Sequence, residues 1–319
     1  MNGRKDGAMP LESVRATAER IRRLEIQGAR NVAIAAIRAM EALAEEAKGA
    51  SREELLKILS EAKEILFAAR ETEPLMRNAI RWIISEAHDR GGTDAMALAE
   101  AISSASKSFL KSLEGWKDSI AEIGARRIRD GSVVFTHCHS STVIEILRRA
   151  KADGKRFEVI CTETRPLFQG RMTAWEMLKA GIKTTLIVDS AARSFINDAD
   201  LAIVGADAIT SEGNVVNKIG TSAIALMAQE ARTPFYVASE LLKYDPATAY
   251  GDYEAIEERG PAEVWDGAPE GLIIRNPAFD VTRRDFIHGI ICEEGIISPH
   301  SVTEVVRRRY PWVFARPSP

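Results

Sequence analysis

The sequence predicts an α/β fold: a helical N-terminal domain, residues 1–128, followed by a doubly wound, mostly parallel Rossmann-like sheet domain, residues 129–319. Three observations predict it. Up to about residue 128, apolar residues recur mostly at three- and four-residue spacing, the period of a helix with one buried face. From residue 132 onward, short apolar runs alternate with helix-like stretches, the pattern of βαβ units. The length, 319 residues, exceeds the roughly 100–200 residues typical of a single domain.

The helical part begins at residues 11–49, where Gly28 is the one interruption of the period. A glycine inside a helix costs about 1 kcal/mol relative to alanine, so Gly28 marks either a break or a close backbone approach to a ligand. Ser51 followed by Glu54 forms a capping box before the run LLKIL. The pattern continues over 52–70, 74–89 and 94–127. Pro74 opens one of these helices, where its missing N–H is not needed, and Gly91-Gly92 breaks the next. The strand runs are VVFTHC (133–138), FEVICTE (157–163), KTTLIVD (183–189), LAIVGAD (201–207), PFYVAS (234–239) and LIIRN (272–276). They are almost continuously apolar, as strands covered on both faces should be. The segments STVIEILRRA, RMTAWEMLKA and TSAIALMAQEA read as the crossover helices.

Composition narrows the function. With 45% hydrophobic and 28% charged residues the chain has enough apolar surface to fold as a globular protein. A net charge of -3 gives no basic footprint for nucleic acid. No stretch approaches the roughly 18 apolar residues of a membrane span. The N-terminal MNGRKDGAMPLESV lacks the apolar core of a secretion signal. Three cysteines, Cys138, Cys161 and Cys292, cannot all pair and form no CxxC, which points to a reducing cytoplasm. Only seven Asn and three Gln fit a chain adapted to heat.

In a doubly wound sheet, ligands bind beyond the carboxyl ends of the strands. Cys138 ends one strand and faces a helix start, where backbone N–H groups lower a thiol pKa; its plain alternative is a small buried hydrophobe. His137 and His139 alternate away from Cys138 on a strand, which argues against a metal cluster. Ser140-Ser141-Thr142 reads as an N-cap or as a phosphate-holding turn. Asn217-Lys218, before the helix start Gly220-Thr221, offers a second anion site with a point charge. Asp207 ends the strand LAIVGAD and is either a turn cap or a carboxyl whose pKa desolvation raises. Lys243 follows the strand PFYVAS. No GxxxxGK[ST] or GxGxxG motif is present, so nucleotide-cofactor chemistry lacks its usual sign.

The stretches FTHCHSSTVIEIL, TETRPLFQGRMTAWEML, IVGADAITSEGNVVNKIGT and NPAFDVT…EEGIISP resemble the archaeal ribose-1,5-bisphosphate isomerases. That family is related to methylthioribose-1-phosphate isomerase and to the alpha, beta and delta regulatory subunits of the exchange factor for eukaryotic initiation factor two. The resemblance runs from about residue 15 to residue 310, and the compact spacing between Cys138 and Asp207 looks like the ribose-bisphosphate branch. It implies that Cys138 and Asp207 are the catalytic pair. It implies substrate contacts at Gln27, Gly28, Ala29 and Arg30, at Arg70, at Ser140, Ser141 and Thr142, at Asn217 and Lys218, and at Lys243. Gln27 stands where the family often has arginine, with Arg30 near enough to restore the charge; FDVTRRDF and CEEG are further departures. The resemblance also implies AMP as an activator, a place in AMP and nucleoside monophosphate degradation, and a homohexamer built as a trimer of dimers. The apolar run FIHGIICEEGII reads either as core or as a dimer contact.

The implied reaction converts ribose 1,5-bisphosphate to ribulose 1,5-bisphosphate through an enol phosphate. The C1 phosphate blocks simple ring opening, so the ring oxygen must be protonated while the C2 proton is removed. One acid and one base suffice, with no cofactor and no metal. Cys138 as thiolate takes the C2 proton; Asp207, held protonated, donates to the ring oxygen. Arg30, Arg70, Lys218 and Lys243 supply the charge that two phosphates demand. Two other readings stand beside this one. A methylthioribose-1-phosphate isomerase would run the same chemistry with an apolar pocket in place of one phosphate clamp. A non-catalytic regulatory subunit would not need the Cys138–Asp207 pair.

Overall fold

The structure is a computed structural model that describes residues 11–70, 72–90, 92–251 and 256–314. It forms two compact units, residues 1–114 and 115–319. The division falls inside a helix and not after it, because Ile120, Ala125 and Ile128 belong to the core of the second unit.

In the first unit the helices are α1 (Glu12–Arg22), α2 (Ala29–Glu46), α3 (Arg52–Phe67), α4 (Pro74–Arg90) and α5 (Ala95–Ala125), which runs on into the second unit. Ser51 caps α3, accepting from the Glu54 amide at 3.2 Å, and Pro74 opens α4. The predicted helix over 11–49 is two helices. Gly28 lies between them at φ +83, a left-handed value that favours glycine, and a Cβ there would meet open space. A backbone turn explains this glycine, and no close packing does. Gly91 of the predicted break lies outside the described residues.

In the second unit the elements are β1 (Val133–Thr136), α6 (Ser141–Ala152), β2 (Glu158–Thr162), α7 (Gln169–Lys179), β3 (Lys183–Ile187), α8 (Ala192–Phe195) and β4 (Leu201–Val204). They continue with β5 (Ala208–Ile209), β6 (Val215–Lys218), α9 (Thr221–Ala231), β7 (Phe235–Ala238), β8 (Phe279–Thr282), β9 (Gly289–Cys292), β10 (Gly295–Ile297) and α10 (Val302–Arg309). Among the described residues the main sheet has the order β10-β9-β7-β4-β1-β2-β3, parallel except for the β9–β10 pair. Strands β4, β7 and β9 are buried along their whole length, whereas β3 at the edge is largely exposed, which is why it opens on Lys-Thr-Thr. The order reverses between β1 and β4, the topological switch point at which doubly wound sheets bind ligands.

Two expectations change. The run LIIRN is not a strand: Ile273 is 85% exposed in an irregular segment. The antiparallel sheet β5-β6-β8 was not foreseen; it holds Asn217 opposite Asp280 and Lys218 opposite Phe279. In the run FIHGIICEEGII, Gly289–Cys292 forms the buried strand β9, so this part packs in the core.

Candidate active site

The carboxyl ends of β1 and β4 flank the switch point, and each presents one candidate catalytic residue. After β1 the chain does not continue as a strand to Cys138. Cys138 has φ +65, a conformation that costs a non-glycine residue on the order of 1–3 kcal/mol and persists only where neighbours over-determine it. Those neighbours are identifiable. The Cys138 amide donates to Thr164 Oγ1 at 2.9 Å, and its carbonyl accepts from Thr173 Oγ1 at 2.8 Å. Thr164 is itself left-handed at φ +62; its amide and that of Arg165 donate to the two Asp189 carboxylate oxygens, each at 2.7 Å.

The two flanking histidines are structural. His137 is buried with Nδ1 against Thr162 Oγ1 and Nε2 2.9 Å from the Ile219 carbonyl. A carbonyl only accepts, so Nε2 carries the hydrogen, and burial holds the ring's pKa below the usual imidazole value. His139 Nδ1 meets Thr173 Oγ1 at 3.1 Å, and burial lowers its pKa as well. Both nitrogens of His137 are thus engaged by the protein.

The electrostatics correct one expectation. A helix start was expected to lower the Cys138 thiol. Burial instead pushes it up to about 11. Lys218 and the His139 amide pull it down, while Asp207 and Asp189 add to the rise. Desolvation is the largest of these influences, ahead of the pull of Lys218. The same balance places Asp207 and Lys218 within electrostatic reach of the thiol.

The β4 end is fitted to the β1 end. A Cβ on Gly205 would lie 2.6 Å from Ser140 Oγ and 4.0 Å from Asn217 Oδ1, so only glycine lets this turn approach the α6 cap. Lys243 is buried, donates to the Ala206 carbonyl at 2.8 Å and pairs with the fully buried Glu240 at 3.2 Å. Lys218 is buried with Nζ 4.9 Å from the centre of the Phe279 ring. Asn217 donates to Thr221 Oγ1 at 3.0 Å. The start of α9, read from sequence as an anion site, is already served by a carboxylate. Asp280 accepts from the Gly220 amide at 2.8 Å and from the Ser222 amide at 3.1 Å, and burial raises its pKa to about 6.

The second unit thus gathers Cys138, Ser140, Asp207, Asn217, Lys218 and Lys243 around the switch point; Ser141 and Thr142 form the first turn of α6. The other candidates belong to the first unit. Gln27 is exposed, donating to the Leu24 carbonyl at 2.9 Å, and Ala29 opens α2 after Gly28. Arg30 is buried and donates to the Leu113 carbonyl at 2.7 Å and to Glu114 at 2.6 Å, so a carboxylate already matches the charge expected to stand in for arginine at 27. Arg70 is buried with Nε 3.4 Å from the buried Glu73. Sequence reasoning missed Thr164, Thr173, Asp189, Asp280 and Glu240. Their spacing from the residues they hold carries no local signal, apart from the Glu240–Lys243 separation.

A thiol, a carboxyl and two lysines thus stand together at the switch point of a Rossmann-like sheet, where proteins of this class bind their ligands. Residues 25–299 match the Initiation factor 2 subunit family, and the chain belongs to that family. It is 42% identical over 304 residues to ribose 1,5-bisphosphate isomerase of Archaeoglobus fulgidus, covering 94% of each chain. It is 35% identical to methylthioribose-1-phosphate isomerase of Pelotomaculum thermopropionicum, covering 88% of this chain and 82% of that one. Among solved structures, translation initiation factor eIF-2B of Pyrococcus horikoshii OT3 superposes with TM-score 0.79 at 36% identity, covering 90% of this chain and 98% of that one.

Proposed function

We propose that the protein is an aldose–ketose isomerase that converts ribose 1,5-bisphosphate to ribulose 1,5-bisphosphate. The observation that carries this reading is the meeting of Cys138 and Asp207 at the switch point, with Lys218 acting on the same thiol. The 42% identity to an isomerase of that name supports the substrate.

The chemistry is balanced by two proton-moving groups. A proton goes to the ring oxygen as its bond to C1 breaks, and the C2 proton leaves, giving a C1–C2 enol that keeps the C1 phosphate. A proton then adds at C1 while the C2 hydroxyl loses its own, leaving the ketone. Cys138 takes the C2 proton and Asp207 serves the ring oxygen. Because burial holds the thiol up to about 11, the base must first be deprotonated, and Lys218 is the cation that favours the thiolate. Each such acid–base contribution is worth typically about 10²–10⁴-fold. Lys218, Lys243, Asn217 and the Ser140-Ser141-Thr142 turn supply polar and cationic contacts for phosphate on this unit.

Activation by AMP, a role in nucleoside monophosphate degradation, assembly as a hexamer built as a trimer of dimers, a cytoplasmic setting and thermophily belong to the same reading. No helix among the described residues is long and apolar enough to cross a membrane, which agrees with it.

Methylthioribose 1-phosphate is the competing substrate, favoured by the 35% identical relative. Assay of the purified protein on both sugars decides. Turnover of the bisphosphate with kcat/KM at least about tenfold above that for the monophosphate, a difference of about 1.4 kcal/mol, is expected; the reverse preference replaces the proposal with the monophosphate reaction. Turnover of neither, with binding of a translation initiation factor, assigns the chain to the regulatory relatives.

A further inference from the structure

We propose that Thr164 is a positioning residue for Cys138, its hydroxyl holding the Cys138 backbone in the conformation that presents the sulfur to substrate. This rests on the reading of Cys138 as a proton-moving group.

The loop carrying Cys138 has no secondary structure of its own to fix it. Between the end of β1 at Thr136 and the start of α6 at Ser141, the peptide groups on either side of the Cys138 α-carbon are each held by a threonine hydroxyl. Both threonines come from beyond β2: Thr164 is fully buried, and Thr173, 1% exposed, lies on α7. Thr164 accepts the N–H at 2.9 Å and turns its own hydrogen to the Thr162 carbonyl at 3.4 Å, while Thr173 donates to the Cys138 carbonyl at 2.8 Å. Thr164 is in turn anchored where it could otherwise relax, its left-handed backbone pinned by Asp189 at the end of β3. The ends of three adjacent strands, β1, β2 and β3, are thereby coupled to one sulfur. A buried hydroxyl that accepts from an otherwise unsupported amide beside a candidate base is poorly explained by packing alone, since valine fills the same space.

Thr164→Val removes the acceptor and keeps the shape; Thr164→Ser keeps the acceptor and removes a methyl. In Thr164→Val, kcat for ribose 1,5-bisphosphate is expected to fall about 10–100-fold while KM stays within about twofold, because displacement of a reacting group lowers turnover more than binding. Thr164→Ser is expected to return to within about threefold of wild type. A second readout needs no substrate. Iodoacetamide alkylation of Cys138, followed by mass of its peptide apart from those of buried Cys161 and Cys292, is expected to be at least about fivefold faster in Thr164→Val, since a released loop exposes the thiol and eases its ionisation. Wild-type alkylation and turnover in Thr164→Val overturn the proposal, and so does a serine variant as impaired as the valine one. Should Thr164→Val not fold, Thr164→Ala, which also lacks the acceptor, carries the same expectations. If the wild-type protein leaves the bisphosphate unchanged, the function fails but the alkylation arm still decides the role of Thr164.

Discussion

Cys138 sits where two opposing effects meet. Its place before a helix start argues for an easily ionised thiol, and its burial argues the reverse and prevails, at about 11. Below that value the thiolate fraction grows about tenfold per pH unit, so the rate of Cys138 alkylation by iodoacetamide is expected to climb steadily from pH 7 to pH 10. Lys218→Met removes a cation that lowers the thiol's pKa, so the rising limb should move to higher pH, and KM should rise with the loss of a phosphate contact. Alkylation rates across this range and KM for the bisphosphate check both points; an alkylation rate that does not change with pH would contradict the raised thiol. Cys138→Ser and Asp207→Asn should each lower kcat by about 10²–10⁴-fold, with circular dichroism unchanged. The position of Cys138 and Asp207 just beyond β1 and β4 was legible in the sequence because each closes an apolar strand run. The groups that hold them were not, because the partners are distant in sequence: His137 and Thr162 are separated by 25 residues, and Gly220 and Asp280 by 60.

At the scale of elements, the β4 turn and the α6 cap share one volume. Gly205→Ala would put a Cβ 2.6 Å from Ser140 Oγ, forcing the cap away from Val143. Loss of a cap costs roughly 0.5–2 kcal/mol, so a thermal shift together with reduced turnover is expected. A second element-scale effect lies at the end of β9. Glu293 accepts from the Tyr310 hydroxyl at 2.7 Å and from the Leu241 amide at 3.1 Å, tying α10 to the turn that carries Lys243. Burial raises its carboxyl from 4.5 to about 7. The folded state therefore holds the proton more tightly than the unfolded chain, and stability contributed by the neutral form is lost as pH rises from about 4.5 through about 7. Glu293→Gln, which stays neutral, should raise Tm at pH 8 and leave it nearly unchanged at pH 4; equal shifts at both would show that ionisation is not the cause. The helices and the parallel strands were legible from period and apolar runs. The small β5-β6-β8 sheet was not, since β5 has two residues and β6 reads Val-Val-Asn-Lys, with polar groups at its buried end. LIIRN misled for the converse reason: Leu272 and Ile273 face solvent.

For the whole molecule, the division into a helical unit and a Rossmann-like unit follows from a change of hydrophobic period in the sequence, but its position does not. α5 keeps a helical pattern through Ala125, and nothing in that pattern marks the passage from one core to the next at Glu114. The order β3-β2-β1-β4-β7-β9 is what brings β1 and β4 side by side with their connections leaving in opposite directions, and so brings a residue numbered 138 to one numbered 207. The central claim is that these two residues move protons through an enol, and the fate of the substrate's C2 hydrogen tests it most directly. Isomerisation of ribose 1,5-bisphosphate in D2O, followed by NMR of the product, should place solvent deuterium at C1 of ribulose 1,5-bisphosphate, with neither conversion nor exchange above background in Cys138→Ser. Product free of solvent deuterium together with wild-type conversion by Cys138→Ser would contradict it.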